Sequence, residues 1–390
     1  MTKLIFSTMP MFTCAFWTLF LMCRLRTEWK RDQVILCMFM FISAIHHVGH
    51  CIFLNEFNDL AAIIHPFYAF ADVVTFPLFY LYVRSITSEL PLRHLWWVVF
   101  APGVMLSLAI AVIYLNMSPE ETSLYVASIT FKDQYDGTAL CHAMNIVQSI
   151  SKIVFVIEVS IVMILVARCV KEFDHKVESF YSDTDDKTLK PFHHLLIVFT
   201  IAAISSFVFS IIGRHFFVES TWLFAVPSVI FSAVIFQIGW FGSQRTFTFE
   251  VQKSEEDAHD AIISQHTDEL QKLAAQNAAV AAIPLSQRIE EMVCQHNMFL
   301  QKNLKVSDIA SALNTNRLYV SQAINDDMHM SFSEYINHKR ISYAIQLMQN
   351  NPQLNMTEVA AASGFSTDNS FYRNFKAFTG KTPKEATQSK

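Results

Sequence analysis

A chain of 390 residues with 52% hydrophobic and only 16% charged positions has room for two or three domains. It is too poor in charge to be wholly soluble, since soluble chains run nearer about 25%. Its seven cysteines (Cys14, Cys23, Cys37, Cys51, Cys141, Cys169, Cys294) form no CxxC pair and mostly lie in apolar runs, which argues against a disulfide framework or zinc site. The net charge of −5 averages segments of very different character and says little about partners.

Residues 4–23 are uncharged and long enough to cross a bilayer, which takes roughly 20 residues. The cations Arg24, Arg26, Lys30 and Arg31 follow this run instead of preceding it, so a retained span is expected, not a cleaved signal peptide. Further apolar runs lie near 33–54, 60–83, 95–115, 139–167, 192–217 and 221–241. Cations gather after the first run, after the third (Arg84, Arg93) and after the fifth (Arg168, Lys171, Lys176, Lys187, Lys190). The alternate connections are nearly bare: 55–59 has none, 116–138 only Lys132, and the sixth-to-seventh turn only Arg214. The positive-inside rule then places the N-terminus outside and everything after 241 in the cytoplasm. Residues 1–242 are expected to form a seven-helix transmembrane bundle.

Ionisable residues inside spans are costly and invite a functional reading. His46, His47 and His50 fall in the second run, His65 and Asp72 in the third, and Glu158 in the fifth. His46 and His50 share a helix face at i and i+4, and have the chemistry to ligate a metal with His65 or Asp72. The set His46, His50, His65, Asp72 and Glu158 also suits a polar pocket for a small ligand or proton. Neutral imidazoles hydrogen-bonded between helices are the plainer reading and outweigh a metal site, so no metal or cofactor is expected. There is no GxSxG elbow and no P-loop, and the membrane histidines are too few for a di-iron lipid enzyme. The chain is not expected to be an enzyme.

Residues 243–283 are charged and Ala-rich, with no Gly or Pro before Pro284, and predict a helical juxtamembrane linker. Ala258, Ile262, Leu270, Leu273, Val280 and Ile283 form an imperfect apolar stripe. It belongs either to a coiled coil that pairs two copies into a homodimer or to a lone solvated helix.

From residue 284 to 390 the composition is that of a soluble helical domain. One helix is expected over 286–298. A short helix over 306–313 with Ile309 and Leu313 on one side, a turn at Asn314-Thr315 and a second helix over 316–325 follow the helix-turn-helix plan. Ser331-Phe-Ser-Glu334 is a capping box that opens a longer helix to about Met348, stopped at Asn351-Pro352. The short-helix, turn, long-helix pattern then repeats at 356–363 and 367–378. In this second unit Gly364 sits where the turn needs positive φ, Ser366 is the expected N-cap, and Phe371, Phe375 and Phe378 recur at helical spacing toward a core. The opposite face carries Asp368, Asn369, Tyr372, Arg373 and Lys376, chemistry that major-groove reading requires.

Arg340-Ile-Ser-Tyr-Ala-Ile-Gln-Leu-Met348, Met356-Thr-Glu-Val-Ala360, Gly364-Phe365, Phe371, Phe375, Gly380 and Thr382-Pro383 together resemble the signature of the AraC/XylS transcription factors. Upstream, Leu304-Lys-Val-Ser-Asp-Ile-Ala and Tyr319-Val-Ser-Gln-Ala-Ile-Asn325 fit the first half of that domain, so the likeness runs from about 285 to 383. One departure is Lys384-Glu-Ala-Thr-Gln, where family members usually continue with an aromatic residue. The resemblance implies two recognition helices in successive major-groove segments, with promoter DNA and RNA polymerase as partners and the bacterial inner membrane as location. It puts base reading on Leu318, Ser321 and Gln322 in the first unit and on Asp368, Asn369, Tyr372 and Arg373 in the second. Asn369 suits adenine and Arg373 suits guanine or phosphate, while Asp368 either accepts from cytosine or caps its helix. Asn316, Arg317, Ser366, Thr367 and Lys376 are expected on phosphates. The slight excess of cations over carboxylates in this stretch implies weak nonspecific binding.

The whole reads as an all-α, membrane-tethered transcription regulator that senses an envelope or membrane signal, by small molecule or otherwise, through its bundle. A membrane enzyme or transporter with a regulatory DNA-binding tail is the rival reading. A third makes the spans a mere anchor.

Overall fold

Long apolar runs without turn signals leave the backbone to satisfy its own hydrogen bonds, and helices do this within a single segment. The computed structural model describes residues 2–88, 95–131, 137–185, 187–189, 197, 199–201, 204, 221–244, 248–255, 257 and 283–388; among them every named element is helical. The chain divides into two units, one of Met1–Val170 with Lys190–Phe249, the other of Lys171–Leu189 with Glu250–Lys390.

The first unit contains α1 (Thr2–Leu25), α2 (Arg31–Leu54), α3 (Asn58–Thr87), α4 (Leu95–Asn116), α5 (Pro119–Phe131), most of α6 (Ala139–Phe180) and α7 (Thr221–Gln244). α1 packs on α2 and α7, α2 on α3, and α3 on α4. Close approach depends on small residues: a Cβ on Gly239 of α7 would lie 2.3 Å from the Trp17 ring of α1. Pro10, Pro66, Pro77, Pro102 and Pro227 sit inside helices, a tolerance typical of bilayer-spanning helices. The outer face of α6 presents Ile146, Ile150, Ile153, Ile157, Ile161 and Ile164, each about half exposed. An apolar surface this continuous is foreign to soluble monomers. Among the described residues, six helices are long and apolar enough to cross a membrane: α1 to α4, α6 and the helix through Ala225.

The structure extends two readings of the sequence. α6 continues past residue 167 to Phe180. α5 was hidden in a connection and starts at a capping box, in which the Ser118 amide donates to the Glu121 carboxylate at 2.8 Å and the Glu121 amide donates to Ser118 Oγ at 3.1 Å. The expected run at 192–217 lies almost wholly outside the described residues. So does the linker stripe from Ala258 to Val280.

In the second unit come α8 (Leu285–Gln295), a 3-10 turn (Met298–Leu300), α9 (Val306–Ala312), α10 (Arg317–Asp327), α11 (Phe332–Asn350), α12 (Met356–Ala362), α13 (Asp368–Thr379) and α14 (Pro383–Gln388). α8 ends before the expected 298 because Asn297 takes a left-handed conformation, φ 50°. α11 opens at the expected capping box: Ser331 Oγ accepts from the Glu334 amide at 3.2 Å and the Glu334 carboxylate from the Ser331 amide at 2.8 Å. Ile336, Arg340, Ala344 and Met348 follow at steps of four along α11, and all are buried. The second half of the core joins Ile341, Ala344, Met348, Val359, Ala360, Phe365, Phe371 and Phe375.

Candidate nucleic-acid interface

Each short helix of the pair ends the same way. After α9, Asn314 takes φ 51° and the Thr315 amide donates back to the Ala310 carbonyl at 2.9 Å. After α12, Gly364 takes φ 83° and the Phe365 amide donates to the Ala360 carbonyl at 3.1 Å. Both are Schellman stops, in which a left-handed residue lets the chain turn sharply into the next helix. Glycine is demanded in the second case on packing grounds as well, since a Cβ there would come within 2.7 Å of the Leu300 carbonyl oxygen.

Each long helix then starts on a side-chain cap. Asn316 Oδ1 accepts from the Leu318 amide at 2.8 Å, and Thr367 Oγ1 from the Ser370 amide at 3.1 Å. The second cap corrects the sequence expectation, which placed it at Ser366. Ser366 instead lies exposed, with its hydroxyl 3.4 Å from Asn303 Oδ1.

Caps and buried residues fix which face points outward. Val320 and Ile324 anchor α10, so Leu318, Tyr319 and Gln322 are exposed and Ser321 is partly so. Phe371 and Phe375 anchor α13, so Asn369, Tyr372, Arg373 and Lys376 are exposed. Phe378, expected in the same core, is 42% exposed and instead meets the His338 ring edge-on at 4.2 Å between centroids. The helix ends one residue later, beyond the reach of the phenylalanine cluster. Asp368 lies in the first turn of α13 and accepts from Thr357 Oγ1 of α12 at 2.6 Å, tying the two helices of the unit together.

Several contacts had no signal in local pattern. Arg340 is 1% exposed: its Nε donates to the Phe299 carbonyl and one terminal nitrogen to the Gln301 carbonyl, both at 2.7 Å. Burial pulls its pKa down to about 10, against the opposing pull of Asp183, so it remains a cation at neutral pH. Its position in an otherwise apolar i+4 series was the only available hint. Glu290 of α8 accepts from Tyr335 Oη at 2.7 Å and from Lys339 Nζ of α11. Burial works against its ionisation, but these hydrogen bonds prevail and hold its carboxyl below the usual range. Glu255 likewise accepts from Tyr181 Oη at 2.8 Å and Lys305 Nζ at 2.6 Å. Two of the cations expected on DNA also have partners within this unit. Arg373 is ion-paired with Asp185, and Arg317 lies over the Phe180 ring at 5.5 Å.

The polar residues of the first unit are brought together only in part. His46 Nδ1 is 3.5 Å from Asp72 Oδ1, and its ring lies 4.7 Å from that of His50 and stacks on Tyr68 at 5.2 Å. His65 turns elsewhere, with Nδ1 2.9 Å from Tyr114 Oη. Glu158 is carried by α6. No group of three or more His, Cys, Asp or Glu among the described residues is arranged to hold a metal ion.

Comparison with known proteins places the likeness in the second unit. Residues 309–389 match a family described as a helix-turn-helix domain. The Msm operon regulatory protein of Streptococcus mutans is 35% identical over 81 residues, covering 21% of this chain and 29% of that protein. The TCP pilus virulence regulatory protein of Vibrio cholerae is 30% identical over 97 residues, covering 25% and 34%. An uncharacterized HTH-type transcriptional regulator of Staphylococcus aureus is 28% identical over 94 residues, covering 24% and 12%. The chain thus spans about a third or less of the length of these curated relatives. No solved structure matches it. The C-terminal part of the chain is thus similar to a helix-turn-helix domain and to segments of transcription regulators, and the described residues around it are helical.

Proposed function

We propose that the protein is a membrane-held, sequence-specific DNA-binding transcription regulator. The single observation that carries this reading is the repeated, Schellman-stopped helix pair. It presents two anchored helices with outward Leu318, Ser321 and Gln322 on one and Asn369, Tyr372 and Arg373 on the other. In this reading these residues meet base edges, while Asn316, Arg317, Ser366, Thr367 and Lys376 hold phosphates. Asp368, occupied by Thr357, serves the geometry of its helix pair before it serves any base. The relatives' names, regulators of an operon and of pilus virulence, support promoter DNA as ligand; RNA polymerase is the partner that binding at a promoter would bring within reach.

The membrane half of the reading rests on the apolar exterior of the first unit and on the cation asymmetry of its connections. Residues 1–242 would cross the bacterial inner membrane seven times with the N-terminus outside, leaving 284–390 in the cytoplasm. The linker 243–283 would carry the signal and pair two copies. The group of His46, His50 and Asp72, with Glu158 on α6 and His65 on its own partner, is where a small ligand or envelope signal would act. Catalysis has no part in this account.

A purified 284–390 fragment offered a random pool of duplexes is expected to select a defined sequence. Arg373→Ala should weaken binding to that duplex by roughly ten- to a hundredfold, the worth of one bidentate base contact. Fragments that select nothing, as monomer and as a forced dimer, would refute the reading.

A further inference from the structure

The segment Lys171–Leu189 belongs to the same unit as the helix-turn-helix pair. α6 is one uninterrupted helix from Ala139 to Phe180; its last turns open this segment, which runs on past Phe180 as a loop. It is a built loop: the Leu189 amide donates to buried Asp174 Oδ1 at 2.5 Å, and the Thr188 amide to the Thr184 carbonyl at 3.0 Å. Tyr181 pairs with Lys305 in an antiparallel bridge, and the Ser182 amide donates to the Leu304 carbonyl at 3.0 Å. The Ser182 carbonyl accepts from Ser333 Oγ at 3.2 Å and Asn337 Nδ2 at 3.1 Å, and Ser182 Oγ accepts from Arg340 at 3.3 Å. One serine is thereby fastened to both α11 and the entry of α9.

The ends of this clamp fall on the residues that DNA would use. Phe180 lies under the Arg317 guanidinium, and Asp185 takes the guanidinium of Arg373. A carboxylate engages arginine through the same fork that would meet guanine or a phosphate, so the two ligands exclude one another. Arg373 is half exposed in this pair, which keeps the contact weak enough to exchange.

We propose that Lys171–Leu189 is an autoinhibitory strap: docked through Ser182, it holds Arg373 and Arg317 away from DNA, and its release permits binding. This rests on the DNA-binding reading above and adds a mechanism of regulation to it. A change in α6 would reach the recognition helices through the strap, independently of the linker.

The test uses the full chain in detergent or nanodiscs and a 40-base-pair duplex selected from a random pool by the full chain and its Asp185→Ala variant. Asp185→Ala is expected to bind that duplex roughly two- to fivefold more tightly than wild type, and Phe180→Ala to shift affinity the same way. Residues paired across an antiparallel bridge have Cα atoms about 5 Å apart, within reach of a disulfide. Tyr181→Cys with Lys305→Cys should therefore bind less when oxidised than wild type treated alike, and recover on reduction. The strap is refuted if Asp185→Ala binds no more tightly than wild type, or if the oxidised and reduced double variants bind equally. If the full chain selects a duplex and Asp185→Ala changes nothing, only the strap falls. If neither the full chain nor the variant selects one, the DNA-binding reading falls and the strap with it.

Discussion

Replacing Arg340 by alanine is expected to destabilise the C-terminal unit by about 3–5 kcal/mol, the largest effect of any single polar change in it. The guanidinium is buried yet charged, and it supplies hydrogen bonds to the Phe299 and Gln301 carbonyls as well as to Asn337 Oδ1 and Ser182 Oγ. Removing it orphans the buried Phe299 carbonyl and takes a partner from the part-buried Gln301 carbonyl, and a buried loss of this kind costs roughly 1–3 kcal/mol. It also removes a guanidinium whose central carbon lies over the Phe365 ring, 5.6 Å from the centroid. Arg340→Lys is expected to rescue little, because an ammonium cannot hold two carbonyls and an amide oxygen in one plane. Amide hydrogen exchange over 298–310 and 332–348 measures this directly. Protection should fall by about a hundredfold or more in the alanine variant, and wild-type protection there would contradict the role assigned to Arg340.

Phe371→Ala is expected to cost a similar amount, about 3–5 kcal/mol, but with its effect confined to the second helix pair. Phe371 is fully buried and meets Phe365 at 5.5 Å and Phe375 at 5.6 Å, both in edge-on geometry. Truncation loses that apolar burial and leaves a cavity between α11, α12 and α13 that rigid backbone cannot fill. Phe371→Leu should cost far less, since it nearly conserves volume. Because Phe371 and Phe375 are the buried apolar anchors of α13, exchange at 368–379 should rise sharply in Phe371→Ala. Exchange in α10 should hardly change, since Val320 and Ile324 anchor that helix separately. Equal loss in both helices would show that the two pairs are not independent.

Much of this arrangement was legible in sequence where the determinants are local. The period of Phe371 and Phe375, the Ser331–Glu334 box and the Gly364 turn each act within a few residues, and each appears at its expected place. The one-residue shift of the cap from Ser366 to Thr367 shows the limit of such reading. Both residues can cap, and only the helix register chooses between them. Phe378 kept the period but outran the core, because the pattern does not record where a helix's neighbours end. Arg340 and Ser182 are 158 positions apart, and no local period couples them. The same holds for the ion pair of Arg373 with Asp185. Polar contacts that span the chain leave no periodic trace, which is why the outward face was readable and its occupant was not.

The central claim is that a DNA-reading domain is held at a membrane. Mapping across the genome every site occupied by the full chain, recovered with the membrane fraction of cells that express it, tests this most directly. Discrete sites sharing one sequence are expected, lost in Arg373→Ala while the chain stays in the membrane fraction. DNA recovered without sequence preference, or sites unchanged by that substitution, would overturn the reading of a membrane-held DNA-binding domain.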